Sequence, residues 1–231
     1  MSSDISDYHR LELSIAADPN DSRRVMPVVN ARHQRILDIG CGAGQTLIGS
    51  NLQPGVCAVG LDLDESALAM GKRLSPAIHF VSGRGEFLPF TNGFFDLVIS
   101  RVSLPYMHIS RALSEMARVT APGGDLWLVL HPFSMTAKEF GTNLTSLQLK
   151  AGLYRLWVLV NGLTLSTVGK QMHWPGNPNR YETWQSSGAI KRALLAAGYE
   201  QIQIHRENHF VVTAALSSRK TAKPQSRKDE S

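Results

Sequence analysis

The stretch Arg35–Leu47, RILDIGCGAGQTL, sets an apolar run of strand length against a turn with glycine at positions 40, 42 and 44. A strand that ends in a bare turn before a helix lets a polar ligand approach the backbone closely, with amide N–H groups and the helix N-terminus facing it. The other apolar runs are also short: CAVGLDL, IHFVS, FDLVIS and LWLVL, with the helix-like stretches Thr46 to Asn51, ESALAMGKRL and SRALSEMARVT among them. This alternation predicts a parallel sheet with helices on both faces. Towards the C-terminus, SSGAIKRALLAAG reads as a helix capped by serine and closed by Gly198. EQIQIHRENHFVVTAAL then reads as two strands joined near Glu207 and Asn208, an antiparallel hairpin at the sheet edge.

Glycine spacing separates ligand classes. Dinucleotide-binding turns follow G-x-G-x-x-G/A, and here Gln45 stands in the third place. LDIGCGAG, with Asp38 ahead of the glycines, instead resembles the first motif of class I S-adenosylmethionine-dependent methyltransferases. Further elements fall in the family's order: Asp62 in VGLDLDE at the end of the next strand, then GRGEFLPFTNGFFDLVIS, then ALSEMARVTAPGGDLWLVLHP. The likeness spans roughly residues 35 to 132, resumes at Ser186, and is strongest to the small-molecule branch that includes quinone-biosynthesis methyltransferases.

The resemblance implies an α/β fold: a Rossmann-like, seven-stranded, mostly parallel sheet with an antiparallel edge hairpin, helices on both faces and a helical lid insertion. One domain is expected over residues 1–216, with its core at 30–132 and 186–216 and the lid at 133–185. The resemblance also implies S-adenosyl-L-methionine as donor, leaving as S-adenosyl-L-homocysteine. Donor-binding residues would be Asp38, Gly40, Cys41, Gly42, Gly44, Asp62, Leu63, Arg84, Gly85, Glu86, Ser100 and Arg101, with Asp62 on the ribose. At the adenine position the family's usual Asp is replaced by Arg84. Gly85 could offer its N–H and Glu86 could accept from the amino group; Arg84 either stacks on the base or points to solvent.

In an open parallel sheet, reacting groups collect beyond the carboxyl ends of the strands. Ser100, Arg101, Ser103, Tyr106 and His108 follow the fourth strand and His131 the fifth. His131 and Tyr106 are the catalytic candidates. His131 would titrate near neutral pH as a base, or only bond a backbone carbonyl and shape the pocket. Arg101 would clamp an anionic acceptor or pair with Glu182. Between residues 130 and 186 the chain is too long for a simple loop. Leu149, Leu153, Leu156, Trp157 and Val160 recur at helical spacing and stop at Asn161-Gly162, which predicts a cap helix. Trp174, Arg180, Tyr181 and Trp184 follow in an irregular segment. They would face a planar or apolar acceptor, or pack on the cap helix as a satellite core. Arg101, Tyr106, His131, Trp174, Arg180 and Tyr181 are the substrate-binding set, and no metal site is expected. Met107, Met116 and Met172 read as packing residues.

Composition narrows the class. With 231 residues and 43% hydrophobic content, one substantial core is expected. Residues 217–231, SSRKTAKPQSRKDES, hold five basic against two acidic residues, more than half of the net charge of +5. This basic tail is expected to be disordered, either merely solvated or meeting nucleic acid or an acidic membrane. The folded part is then nearly neutral and lacks a basic stripe. It also lacks the Asn/Asp-Pro-Pro-aromatic tetrad of nucleobase methyltransferases, so a small-molecule substrate and no nucleic-acid partner are expected. Two cysteines in apolar contexts, Cys41 and Cys57, suit a reducing cytoplasm. No leader or membrane span is read, so a cytoplasmic monomer or weak homodimer is expected. The rival from another class is a non-catalytic module that binds S-adenosylmethionine or S-adenosylhomocysteine on the same fold.

Overall fold

The computed structural model describes residues 2–146 and 148–218, so the expected basic tail lies outside them from residue 219 on. Five parallel strands, β1 (Arg35–Ile39), β2 (Cys57–Asp62), β3 (His79–Ser82), β4 (Phe95–Arg101) and β5 (Thr120–Leu130), join an antiparallel pair, β6 (Tyr199–His205) and β7 (Phe210–Leu216). The sheet order is β3-β2-β1-β4-β5-β7-β6. The chain winds outward from β1 to β3 and then crosses back to β4, so the crevice between the ends of β1 and β4 is the switch point where such sheets bind ligands.

Alternating side chains feed two cores. Leu37, Ile39, Leu61, Val98 and Leu128 pack on one face against Leu113 and Met116 of α4 (Ile109–Val119) and Ile190 and Leu194 of α7 (Ser187–Ala196). Ile36, Leu97, Ile99 and Trp127 pack on the other against Leu47 of α2 (Gln45–Gly49) and Leu68 of α3 (Glu65–Leu74). Burial on both faces is why these strands read as near-continuous apolar runs. Helix α4 buries Ile109, Ala112, Leu113, Met116 and Val119, a stripe at helical spacing. Its Arg118 donates to the carbonyls of Leu88 (2.8 Å) and Phe90 (2.7 Å), and its Glu115 accepts from the Leu88 amide (2.8 Å). The Leu-Pro-Phe turn behind the switch point is thereby fixed. Ser186 caps α7 by accepting from the Ala189 amide.

The sequence does not announce helix α1 (Ser2–Ala17), which packs against α2 and α3. Between β5 and α7 stand two helices, α5 (Phe133–Thr145) and α6 (Leu149–Val168). The single cap helix expected to stop at Asn161-Gly162 instead runs on to Val168 and ends on Gly169 in the left-handed region (φ 71°). Gly162 serves close approach, since a methyl group there would overlap the Trp184 indole. The Asn161 amide donates to the carbonyls of Met172 (2.9 Å) and Glu182 (3.0 Å), tying the irregular segment to α6.

Candidate functional site

At the end of β1 the chain turns through Gly40, Gly42 and Gly44, all at positive φ (73°, 55° and 82°). The expectation that this turn aims its amides at a ligand does not hold for three of them. Gly40 and Cys41 donate to the Leu61 carbonyl (2.7 and 3.1 Å), and Gly42 donates to Asp62 Oδ2 (2.7 Å). The bare turn is stitched to the end of β2, and its service is space.

That space is a cavity of about 400 Å³, a size suited to a small-molecule ligand. One wall is the glycine turn with Asp62 and Leu63 from the end of β2 and residues 83–86 after β3. The other is Arg101, Val102 and Ser103 after β4, with Tyr106 and Met107 beyond. Of the residues nominated for the donor, Gly40, Cys41, Gly42, Asp62, Leu63, Arg84, Gly85, Glu86 and Arg101 line it together. Asp38, Gly44 and Ser100 do not. The Ser100 hydroxyl is buried behind Ser103, bonded to Ser103 Oγ (2.6 Å) and to the Leu104 amide (3.2 Å).

Arg101 pairs with Glu12 of α1 (2.9 Å) and Thr46 Oγ1 (3.1 Å), not with Glu182, which is held by Arg155 and Tyr154 of α6. Arg84 leans on Glu86 (3.6 Å), whose other oxygen accepts from the His108 amide (3.0 Å). The cavity also includes positions not nominated above, among them Tyr8 and His9 from α1, Gln45 hydrogen-bonded to His9 (2.7 Å), and Asn179 from the irregular segment. The signal for α1 was present in the spacing of His9, Glu12, Leu13 and Ala16, but two of those four are polar and a search for apolar period passes over them. Val102 sits at φ 66°, an outlier for a β-branched residue, at the point where β4 leaves the sheet for the cavity wall.

Asp38 lies beneath the turn, 1% exposed, with neither carboxylate oxygen in a hydrogen bond. Burial pushes its pKa up to about 7; Arg101 pulls the other way, and Asp62 adds to the rise. The unfolded carboxyl ionises near 4, so between that pH and about 7 unfolding releases a proton and the fold loses stability as pH rises. Asp38→Asn should therefore raise the thermal midpoint of the ligand-free protein more at pH 8 than at pH 5, by an amount worth a few kcal/mol at most. Scanning calorimetry at both pH values reads this; a gain independent of pH would show that the carboxyl ionises normally.

Of the other acceptor-side nominations, His131, Trp174, Arg180 and Tyr181 do not line this cavity. His131 is buried at the end of β5, its ring edge-on to Tyr106 at 5.4 Å and its Nε2 without a partner. Burial lowers its pKa, with Glu182 opposing. Tyr106 is 48% exposed, yet desolvation of its hydroxyl and then Glu182 lift its pKa to about 12, so it stays protonated at neutral pH. Trp174 packs on Tyr154 and Trp157, Arg180 lies over the Tyr154 ring at 4.2 Å, and Tyr181 meets His108. The inserted segment grips the core along one seam. Gln171 donates to the Met107 carbonyl and accepts from the Ile109 amide, Thr183 donates to the Pro105 carbonyl, and the Gln185 amide donates to the His131 carbonyl.

The fold is the Rossmann-like fold of methyltransferases, with a cavity at its switch point. Residues 36–124 match a family model described as a methyltransferase domain. The chain is 38% identical over 118 residues to the demethylmenaquinone methyltransferase of Beutenbergia cavernae, covering 49% of this chain and 48% of that protein. It is 35% identical over 126 residues to the phthiotriol/phenolphthiotriol dimycocerosates methyltransferase of Mycobacterium leprae, covering 50% and 46%. The matches thus span about half the length of these relatives. In three dimensions it resembles a Thermotoga maritima protein described as a possible histamine N-methyltransferase, with a TM-score of 0.60 at 15% identity over 94% of this chain and 97% of that one. The chain thus resembles methyltransferases in sequence over about half its length and shares the fold of S-adenosylmethionine-dependent ones.

The residues present fit the donor. The glycine turn leaves room for it, and Asp62 stands on the cavity wall with lone pairs beyond those used by the Gly42 and Asp64 amides.

Proposed function

We propose that this protein transfers the methyl group of S-adenosylmethionine to a small planar or apolar acceptor. The observation that carries this is the single cavity with a donor-like wall at the glycine turn and Asp62, and Tyr106 and Met107 at its other end beside the inserted segment. When bound, the donor supplies a methyl already activated on a sulfonium, so the chain's task is to align it with the acceptor, a service that accounts for several kcal/mol of barrier. Asp62 would accept bonds from the ribose hydroxyls with the lone pairs left by Gly42 and Asp64. Arg84, Gly85 and Glu86 would meet the base. Tyr106, protonated, would donate a hydrogen bond to the acceptor, with Asn179 of the inserted segment lining the same cavity. The relatives described as methyltransferases of demethylmenaquinone and of phthiotriol lipids support an acceptor with apolar character.

Calorimetric titration with S-adenosylmethionine and S-adenosylhomocysteine, with NAD as control, tests the donor. Methyl transfer to a panel of quinols and phenols then tests the acceptor. Micromolar binding of the first two and turnover of a panel member are expected. Donor binding with no transfer to any acceptor would return the protein to the non-catalytic module.

His131→Ala should lower kcat by about a hundredfold or more if the ring takes the acceptor's proton, with donor affinity unchanged. Its lowered pKa keeps the ring neutral through pH 7, so the acid limb of the native rate profile should fall below the ordinary histidine value of about 6.5. Turnover undiminished in the variant would leave His131 a packing partner of Tyr106.

A further inference from the structure

The outer face of α6 carries Leu149, Leu153, Leu156, Val160 and Leu163, each between 45% and 72% exposed. Their spacing alternates four and three residues, one continuous stripe along the helix. On the opposite side Val158 and Leu165 are buried in the protein. A helix apolar on both sides ordinarily has a cover on both, and among the described residues nothing covers this one. Leu144, at the end of α5, is also 55% exposed and precedes the same helix.

Charge distinguishes among possible covers. Residues 133–185 contain Lys138, Lys150, Arg155, Lys170 and Arg180 against only Glu139 and Glu182. Both acids are bound by Arg155. Lys138, Lys150 and Lys170 are exposed, and among the described residues none of them has an ion pair.

We propose that this face of the inserted segment docks on the surface of an anionic lipid bilayer. The leucines would enter the boundary between headgroups and acyl chains while the three lysines meet lipid phosphates, the arrangement of a helix lying in the interface plane. A second copy of the chain fits less well. Two such faces would oppose like charge, and five half-exposed aliphatic side chains present a few hundred Å² of apolar surface, short of the roughly 800 Å² per partner of a specific dimer. No helix among the described residues is long and apolar enough to cross a membrane, so the contact is peripheral.

The test is co-sedimentation of the full chain with phosphatidylcholine vesicles, with and without phosphatidylglycerol. Binding is expected to the anionic vesicles and to weaken as salt is raised. The double variant Leu153→Gln, Leu156→Gln should bind them about tenfold more weakly or worse, with its thermal midpoint and S-adenosylhomocysteine affinity unchanged. Lys150→Gln with Lys170→Gln, which removes no apolar contact, should lower binding severalfold. Five further basic residues lie between positions 219 and 228. Vesicle binding that both double variants retain in full would assign adsorption to those residues and overturn the proposal. So would absence of binding, or a concentration-dependent dimer that the leucine variant loses. Vesicle binding requires no methyl transfer, so this inference and the enzymatic reading fail independently.

Discussion

Asp62→Ala should weaken S-adenosylhomocysteine binding by about two orders of magnitude. The side chain stands at the cavity wall at the end of β2, its carboxylate already oriented by the amides of Gly42 (2.7 Å) and Asp64 (2.9 Å). A carboxylate held in this way is preorganised to accept from the two ribose hydroxyls, and hydrogen bonds to a charged partner contribute about 1.5–3 kcal/mol each. Loss of about 3 kcal/mol corresponds to roughly a hundredfold in Kd. The substitution also frees the two amides, so part of the loss would come from a looser glycine turn. Asp62→Asn separates the contributions. It keeps one acceptor oxygen for an amide but loses the charge, and should fall between native and alanine. Titration calorimetry reads all three, and an alanine variant with native affinity would remove Asp62 from the ribose.

Gly40→Ala should be the most destabilising single methyl group in the donor half. Its backbone sits at φ 73°, where an L side chain costs about 1–2 kcal/mol. The added carbon would overlap Ser103 Cβ and Oγ. Ser103 cannot easily retreat, because its hydroxyl donates to the Ile39 carbonyl (2.5 Å) and is bonded to Ser100 Oγ (2.6 Å). Overpacking of this kind adds about 1–3 kcal/mol. A total near 3 kcal/mol predicts a fall in thermal midpoint of roughly 6–12 °C for a domain of this size. Gly40→Ala combined with Ser103→Gly removes the overlap and should recover part of the loss. A single variant that melts like the native protein would show that the turn relaxes without cost.

What the sequence made legible follows from which interactions are local. The strands, the glycine turn, the Ser186 cap and the β6–β7 hairpin each depend on neighbours a few residues away, so residue type and period disclose them. Most of one cavity wall was legible for the same reason, being built from strand ends in chain order. The misses depend on distant partners. Gly162 looks like a helix stop until Trp184, more than twenty residues on, is placed against it. Arg101 finds its acid in Glu12, nearly ninety residues earlier, and no local rule selects that carboxylate over Glu182. Val102 carries the opposite of the expected signature, a β-branched residue where glycine would be chosen, because the anchoring bond from its amide to Val129 sets the backbone there.

The seam at residues 104–109 and at His131 joins the inserted segment to the sheet by hydrogen bonds to main-chain groups of the core, almost none of them to a core side chain. Two consequences follow. Substitutions in α5 or α6 and substitutions at the glycine turn share no partner, so their costs to stability should sum rather than interact. And because main-chain groups look alike whatever residue bears them, side chains of the insert away from its own contacts can change without disturbing the seam that holds it to the sheet.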